Sequence, residues 1–150
     1  MTDPTTPTAA GGSAHTVRMT RFAAVGGLFG LAAVLLGAFG AHGLEGRVDA
    51  GRLEIWATAS HYLGWQATTL LAVGLAGARL AAQRLTLGAA WCLAIGSLIF
   101  SGSLYILVLS GQGAWGAVTP IGGVLLALGW GLLAVAAFVG ARPPTAADST

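Results

Sequence analysis

The chain has 150 residues, 55% of them hydrophobic and 8% charged, and a net charge of +2. Ordinary soluble domains carry roughly 25% charged residues, so a water-soluble globular unit is excluded, and the scattered arginines form no basic face for nucleic acid. The single cysteine, Cys92, excludes an internal disulfide and reads as a buried small hydrophobe, and no CxxC pair or His/Cys cluster is spaced to hold a structural metal.

Residues Met1 to Thr16 are rich in Thr, Pro, Ala and Gly without an apolar period. A disordered tail is expected over 1–17, because nothing there offsets ordering entropy. Arg18 and Arg21 then precede the apolar run Phe22–Ala41, FAAVGGLFGLAAVLLGAFGA. At 1.5 Å per residue such a helix spans about 30 Å, the thickness of the hydrocarbon core. A cleaved signal peptide competes for this segment, but the run exceeds the usual h-region of about 7–15 residues. Within it Gly26 and Gly30 form a GxxxG pair, and Ala33, Gly37 and Ala41 extend a ridge of small residues. Gly26, Gly30 and Gly37 are expected to pack against another helix, within the chain or in another subunit.

Leu44–Glu54 holds three acids and two arginines and reads as a loop or short interfacial helix. A second span is expected over Ile55–Ala78, a turn framed by Arg79 and Arg84 follows, and a third span runs from Leu85 to Leu109. No Asp, Glu, Lys or Arg occurs between Arg84 and Arg142. Lipid removes the need for charged cover, and it penalises each buried charge by about 2.5–3.5 kcal/mol. Ser110–Thr119 interrupts this stretch with glycines and Gln112, Pro120 suits the first turn of a fourth span, and Arg142-Pro143-Pro144 stops it. The expected fold is all-α, a four-transmembrane-helix bundle over 18–141, with helices at about 22–41, 55–78, 85–109 and 120–140 and a disordered tail over 142–150.

Four spans put both termini on one side, together with Arg18, Arg21, Arg79, Arg84 and Arg142, against Arg47 and Arg52 opposite. The positive-inside bias therefore predicts a multi-pass protein of the cytoplasmic membrane with cytoplasmic termini. Trp56, Trp115 and Tyr62 are expected to anchor at the interfaces.

Polar residues inside the spans are the functional candidates. His42 closes the first helix between Gly40 and Gly43. His61, Trp65 and Thr68 or Thr69 share a face of the second, with Gln66 beside it. Ser97, Ser101 and Tyr105 line one face of the third at four-residue spacing. Such groups usually face other helices and bond there, and serine hydroxyls also bond to carbonyls one turn back. His61 reads first as an interhelical contact, then as a proton-handling or ligand residue, and last as a metal ligand. His42 and His61 near Glu45 or Asp49 offer the one constellation suited to an enzyme. No catalytic, metal or cofactor residue is assigned.

Three motifs, GAFGAHGL at Gly37–Leu44, FSGSLYILVL at Phe100–Leu109 and TPIGG at Thr119–Gly123, resemble those of the YwdK/YgdD-like family of small integral membrane proteins, a domain-of-unknown-function family. The resemblance covers about residues 22–141. It implies four membrane helices without an established activity, and it places GAFGAHG in the mature protein rather than in a signal peptide. The family's marked positions fall on Gly37, Phe39, Gly40, His42 and Gly43, then on Ser101, Gly102, Ser103, Tyr105, Thr119, Pro120 and Gly123. Where the family often has a Tyr-His pair, this chain has Trp65-Gln66.

Three functions follow as expectations. The first is an accessory or structural component of the membrane, partnered by lipid and by a second copy or other membrane proteins. The second is a small oligomeric transporter or channel lined by His61, Gln66, Ser97, Ser101 and Tyr105. The third is a membrane enzyme at the outer interface using His42 and His61.

Overall fold

The computed structural model describes residues 9–77 and 82–140, with 9–17 as backbone alone. Among them the chain is all-helical: α1 (Ala9–Gly43), α2 (Ala50–Ala76), α3 (Gln83–Ser110) and α4 (Thr119–Gly140), with a short 3₁₀ helix at Gly113–Ala117. The tail expected over 142–150, the first eight residues of the other tail, and Arg79 lie outside the described residues.

Two helices start earlier than the apolar runs suggest. α1 is already helical at Ala9, inside the expected 1–17 tail. Once an apolar span has nucleated a helix, extension through a proline-free segment adds one hydrogen bond per residue fixed, and no proline follows Pro7 before α1 ends. α2 starts at Ala50, within the charged stretch. Asp49 is its N-cap: the backbone there is extended, and Oδ1 accepts from the Arg52 amide at 3.0 Å. That carboxylate satisfies one of the orphan N–H groups of the first turn. α3 ends at Gly111, whose φ of 72° is left-handed and whose N–H donates to the Leu107 carbonyl at 2.9 Å. Pro120 sits in the first turn of α4, where its missing N–H costs little.

By length and apolarity, three helical segments are able to cross a membrane: Arg18–Gly43, Gln83–Ser110 and Gly113–Gly140. α2 is long enough at 27 residues, but Ser60, His61, Gln66, Thr68 and Thr69 lower its apolarity.

The helices form two hairpins. α1 lies along α2, α3 lies along α4, and α2 packs on α3. α1 and α4 flank this central pair without meeting, so the four do not close around a common axis. Glycines set both hairpin crossings. A Cβ on Gly26 would stand 2.6 Å from the Leu71 amide nitrogen, and one on Gly74 would stand 2.7 Å from the Ala23 Cα. In the other hairpin, a Cβ on Gly122 would lie 2.7 Å from the Phe100 Cα, and one on Gly129 would lie 2.7 Å from Leu93 Cγ. With no hydrophobic exclusion between helices in lipid, such close approach maximises van der Waals contact. Phe22, Leu70, Val73, Ala90, Leu93, Ala94 and Leu126 form the buried centre where the hairpins join.

Candidate functional site

At the end of the molecule carrying the 44–49 turn, the motif residues converge on Trp56. This indole, expected at an interface, is instead 2% exposed. Its Nε1–H donates to the Leu36 carbonyl of α1 at 2.6 Å. Gly40 makes room for it, since a Cβ there would stand 2.7 Å from Nε1. The ring centre lies 5.7 Å from that of Phe39 and 4.5 Å from that of Tyr105. Leu44 and Val108 complete the cluster, and the Leu44 amide closes α1 by donating to the Phe39 carbonyl at 3.1 Å. GAFGAHGL is thus a helix terminus shaped to receive one tryptophan.

The hydroxyls of α3 are all committed. Ser97 Oγ donates to the Leu93 carbonyl at 2.6 Å, one turn back, whereas Ser101 Oγ crosses to the Ala59 carbonyl of α2 at 2.9 Å. The Tyr105 hydroxyl lies 3.0 Å from Ser60 Oγ, which also reaches the Trp56 carbonyl at 3.1 Å. Ser103 Oγ is 2.8 Å from Thr119 Oγ1, linking the second motif to the third. These bonds tie α3 to α2 on one side and to α4 on the other.

The remaining candidates are dispersed. His42 and His61 are both exposed. His61 lines a cleft of about 490 Å³ with Glu45, Ser60 and Trp56, and His42 is absent from that lining. Among the described residues no three His, Cys, Asp or Glu gather as a metal site. Gln66 lies elsewhere, buried on α2 facing α4 and 3% exposed. Gly30 and Gly37 face α2 in ordinary contact, where a Cβ would sit 3.7 Å from Ala67 Cβ and 3.9 Å from Ser60 Cβ. Cys92 is a free, half-buried thiol.

Sequence reasoning missed Trp56, Gly74, Gly96, Gly122 and Gly129 as packing residues. A lone tryptophan two residues after Glu54 looks interfacial, and in a chain with 24 glycines spacing alone does not separate those meeting backbone from those facing lipid. Arg52 was also missed. Beyond its 3.3 Å ion pair with Asp49, its guanidinium lies 3.2 Å from where a Cβ on Gly111 would stand. That puts a cation at the negative end of α3.

The sequence profile of a family described as "Protein of unknown function (DUF423)" matches residues 36–123, a stretch containing all three motifs. The chain belongs to the DUF423 family. The UPF0382 membrane protein YwdK of Bacillus subtilis is 40% identical over 119 residues, 79% of this chain and 97% of its own. The UPF0382 membrane protein SSP2132 of Staphylococcus saprophyticus is 42% identical over 120 residues, 80% of this chain and 98% of its own. No solved structure matches the chain. On this structure the DUF423 motifs mark where helices are joined: GAFGAHGL seats Trp56, FSGSLY bonds to α2, and its Ser103 meets the threonine of TPIGG.

Proposed function

We propose that this membrane protein is an accessory component of the cytoplasmic membrane that works through its lateral helix faces, with all four helices spanning and both termini cytoplasmic. One observation carries the functional part: Ser97, Ser101, Ser103 and Tyr105 bond to helix carbonyls or to other hydroxyls of the unit. That supports a rigid scaffold over a polar passage, which needs such groups free to replace water around a solute. The four-span reading draws on α2 being sandwiched between α1 and α3. Its 27 residues reach about 40 Å, and its polar Ser60 and Gln66 are buried against neighbouring helices rather than exposed. The arginine distribution supplies the orientation.

The accessory role is tested with photoreactive residues at Leu31 and Phe138, which are 58% and 79% exposed. Illumination in native membranes is expected to give one reproducible adduct with another membrane protein. A chain that stays monomeric and unlinked at both positions overturns the reading, as does proton or solute flux above empty liposomes after reconstitution. Topology is tested separately with Gly113→Cys and Ala146→Cys in a Cys92→Ser background. An impermeant maleimide is expected to label the first in intact cells and the second only after permeabilisation, and the reverse order refutes the orientation.

A further inference from the structure

Between α2 and α4, over the back of α3, lies a cleft of about 690 Å³, a volume typical of small-molecule sites. Its walls are aromatic, formed by Tyr62, Trp65, Phe100 and Trp130. The Tyr62 ring centre lies 4.7 Å from that of Phe100 and 5.3 Å from that of Trp65. Gln66 and Leu126 lie deepest, 3% and 5% exposed. The two threonines of the lining are satisfied, since Thr68 Oγ1 donates to the Gly64 carbonyl and Thr69 Oγ1 to the Trp65 carbonyl. Gln66 is not. Its Oε1 is buried and has no hydrogen-bond partner among the described residues.

A buried, unpaired amide oxygen is costly, and folded proteins nearly always satisfy such groups. Gln66 stands near the middle of α2, so under the four-span reading, on which this depth rests, it lies far from either water layer. Acyl chains filling the cleft bring no donor. The missing donor must arrive on a molecule that is itself soluble in lipid.

We propose that the cleft binds a lipid-soluble molecule with a hydroxylated ring, of the phenol or hydroquinone class, whose O–H donates to Gln66 Oε1. The ring stacks among Tyr62, Trp65, Phe100 and Trp130, where aromatic pairs in offset or edge-to-face contact favour a planar ligand over a flexible chain. A hydroxyl both donates and accepts, so it serves the amide in either orientation about its last torsion. The ligand is uncharged at this group, because the lining holds no Asp, Glu, Lys, Arg or His to pair with an ion. A second copy of the chain fits less well. Gln66 is buried at 3% exposure while Trp65 and Trp130 of the same lining are 62% and 49% exposed, so two such faces meeting at their exposed indoles hold their amides apart.

The test uses the full chain in phosphatidylcholine nanodiscs, titrated with decylhydroquinone under reducing conditions and with its dimethyl ether, both measured by equilibrium partitioning against empty discs. The hydroquinone is expected to bind saturably at one per chain and at least tenfold tighter than the ether, a difference of about 1.4 kcal/mol. Gln66→Leu is expected to remove that preference while leaving the ether unchanged. Equal binding of the two compounds overturns the proposal, as does no saturable binding above empty discs. A Gln66→Cys variant in a Cys92→Ser background that forms a disulfide-linked dimer in native membranes also overturns it, in favour of a second copy. The comparison of the two compounds on the unaltered chain decides the matter even where Gln66→Leu does not fold. Failure here leaves the maleimide result on the four spans standing, so the two readings fail separately.

Discussion

Gly26 and Gly27 are adjacent on α1, yet alanine is expected to act on them in opposite directions. A Cβ on Gly26 would lie 2.6 Å from the Leu71 amide nitrogen and 2.7 Å from the Ala67 carbonyl oxygen, whereas one on Gly27 meets nothing within 4 Å among the described residues. Both obstacles at Gly26 are helix backbone and have no rotamer by which to give way. Normal contact needs about 3.5–4.0 Å, so the hairpin must open by about 1 Å. Overpacking of this kind costs about 1–3 kcal/mol, and alanine returns about 1 kcal/mol of helix propensity at either position. Gly26→Ala is therefore expected to lose up to about 2 kcal/mol and Gly27→Ala to gain up to about 1 kcal/mol. The assay is reversible unfolding in mixed micelles of mild detergent and dodecyl sulfate, followed by tryptophan fluorescence. Equal effects at the two positions would falsify the crossing geometry. A loss at Gly26 that depends on protein concentration would instead move the GxxxG contact to a subunit interface.

Three further outcomes follow from the joints between helices. A double-mutant cycle of Ser103→Ala with Thr119→Val is expected to show coupling of about 0.6 kcal/mol, the usual size for hydroxyl pairs between membrane helices; additive effects refute the 2.8 Å contact between them. Trp56→Phe keeps a ring but removes the donor to Leu36, so it is expected to cost about 1 kcal/mol. Gly40→Ala, which displaces the whole indole, is expected to cost more, and the opposite ranking in the same unfolding assay counts against the cluster. Arg52→Leu is expected to lose about 0.3–1 kcal/mol at low salt and less at high salt. Its exposed pair with Asp49 adds little, so a salt-independent loss refutes the helix-end role.

Much of the architecture is legible along the chain because each apolar run reports its environment locally. The third helix, expected over 85–109, occupies Gln83–Ser110, and the fourth begins at Thr119, one residue before the expected start, since Arg84, Gly111 and Pro120 punctuate these ends chemically. The starts of α1 and α2 were less legible. Helix propagation past Phe22 and the capping of Ala50 by Asp49 depend on cooperativity and on one side-chain contact, neither of which shows in an apolar profile. Ser101 was visible as a candidate by its spacing, but its partner, the Ala59 carbonyl, is a backbone atom of another helix and leaves no trace in residue type.

Composition and the uncharged stretch therefore determined by themselves an all-helical membrane protein, because transfer into lipid acts on each residue separately, and the arginines supply only an expectation of its orientation. Only the tertiary structure decided which glycines are crossings, that Trp56 is core rather than interface, and that Gln66 closes a cleft with an unpaired oxygen. Those properties belong to distances between helices, and residues far apart in the chain set them.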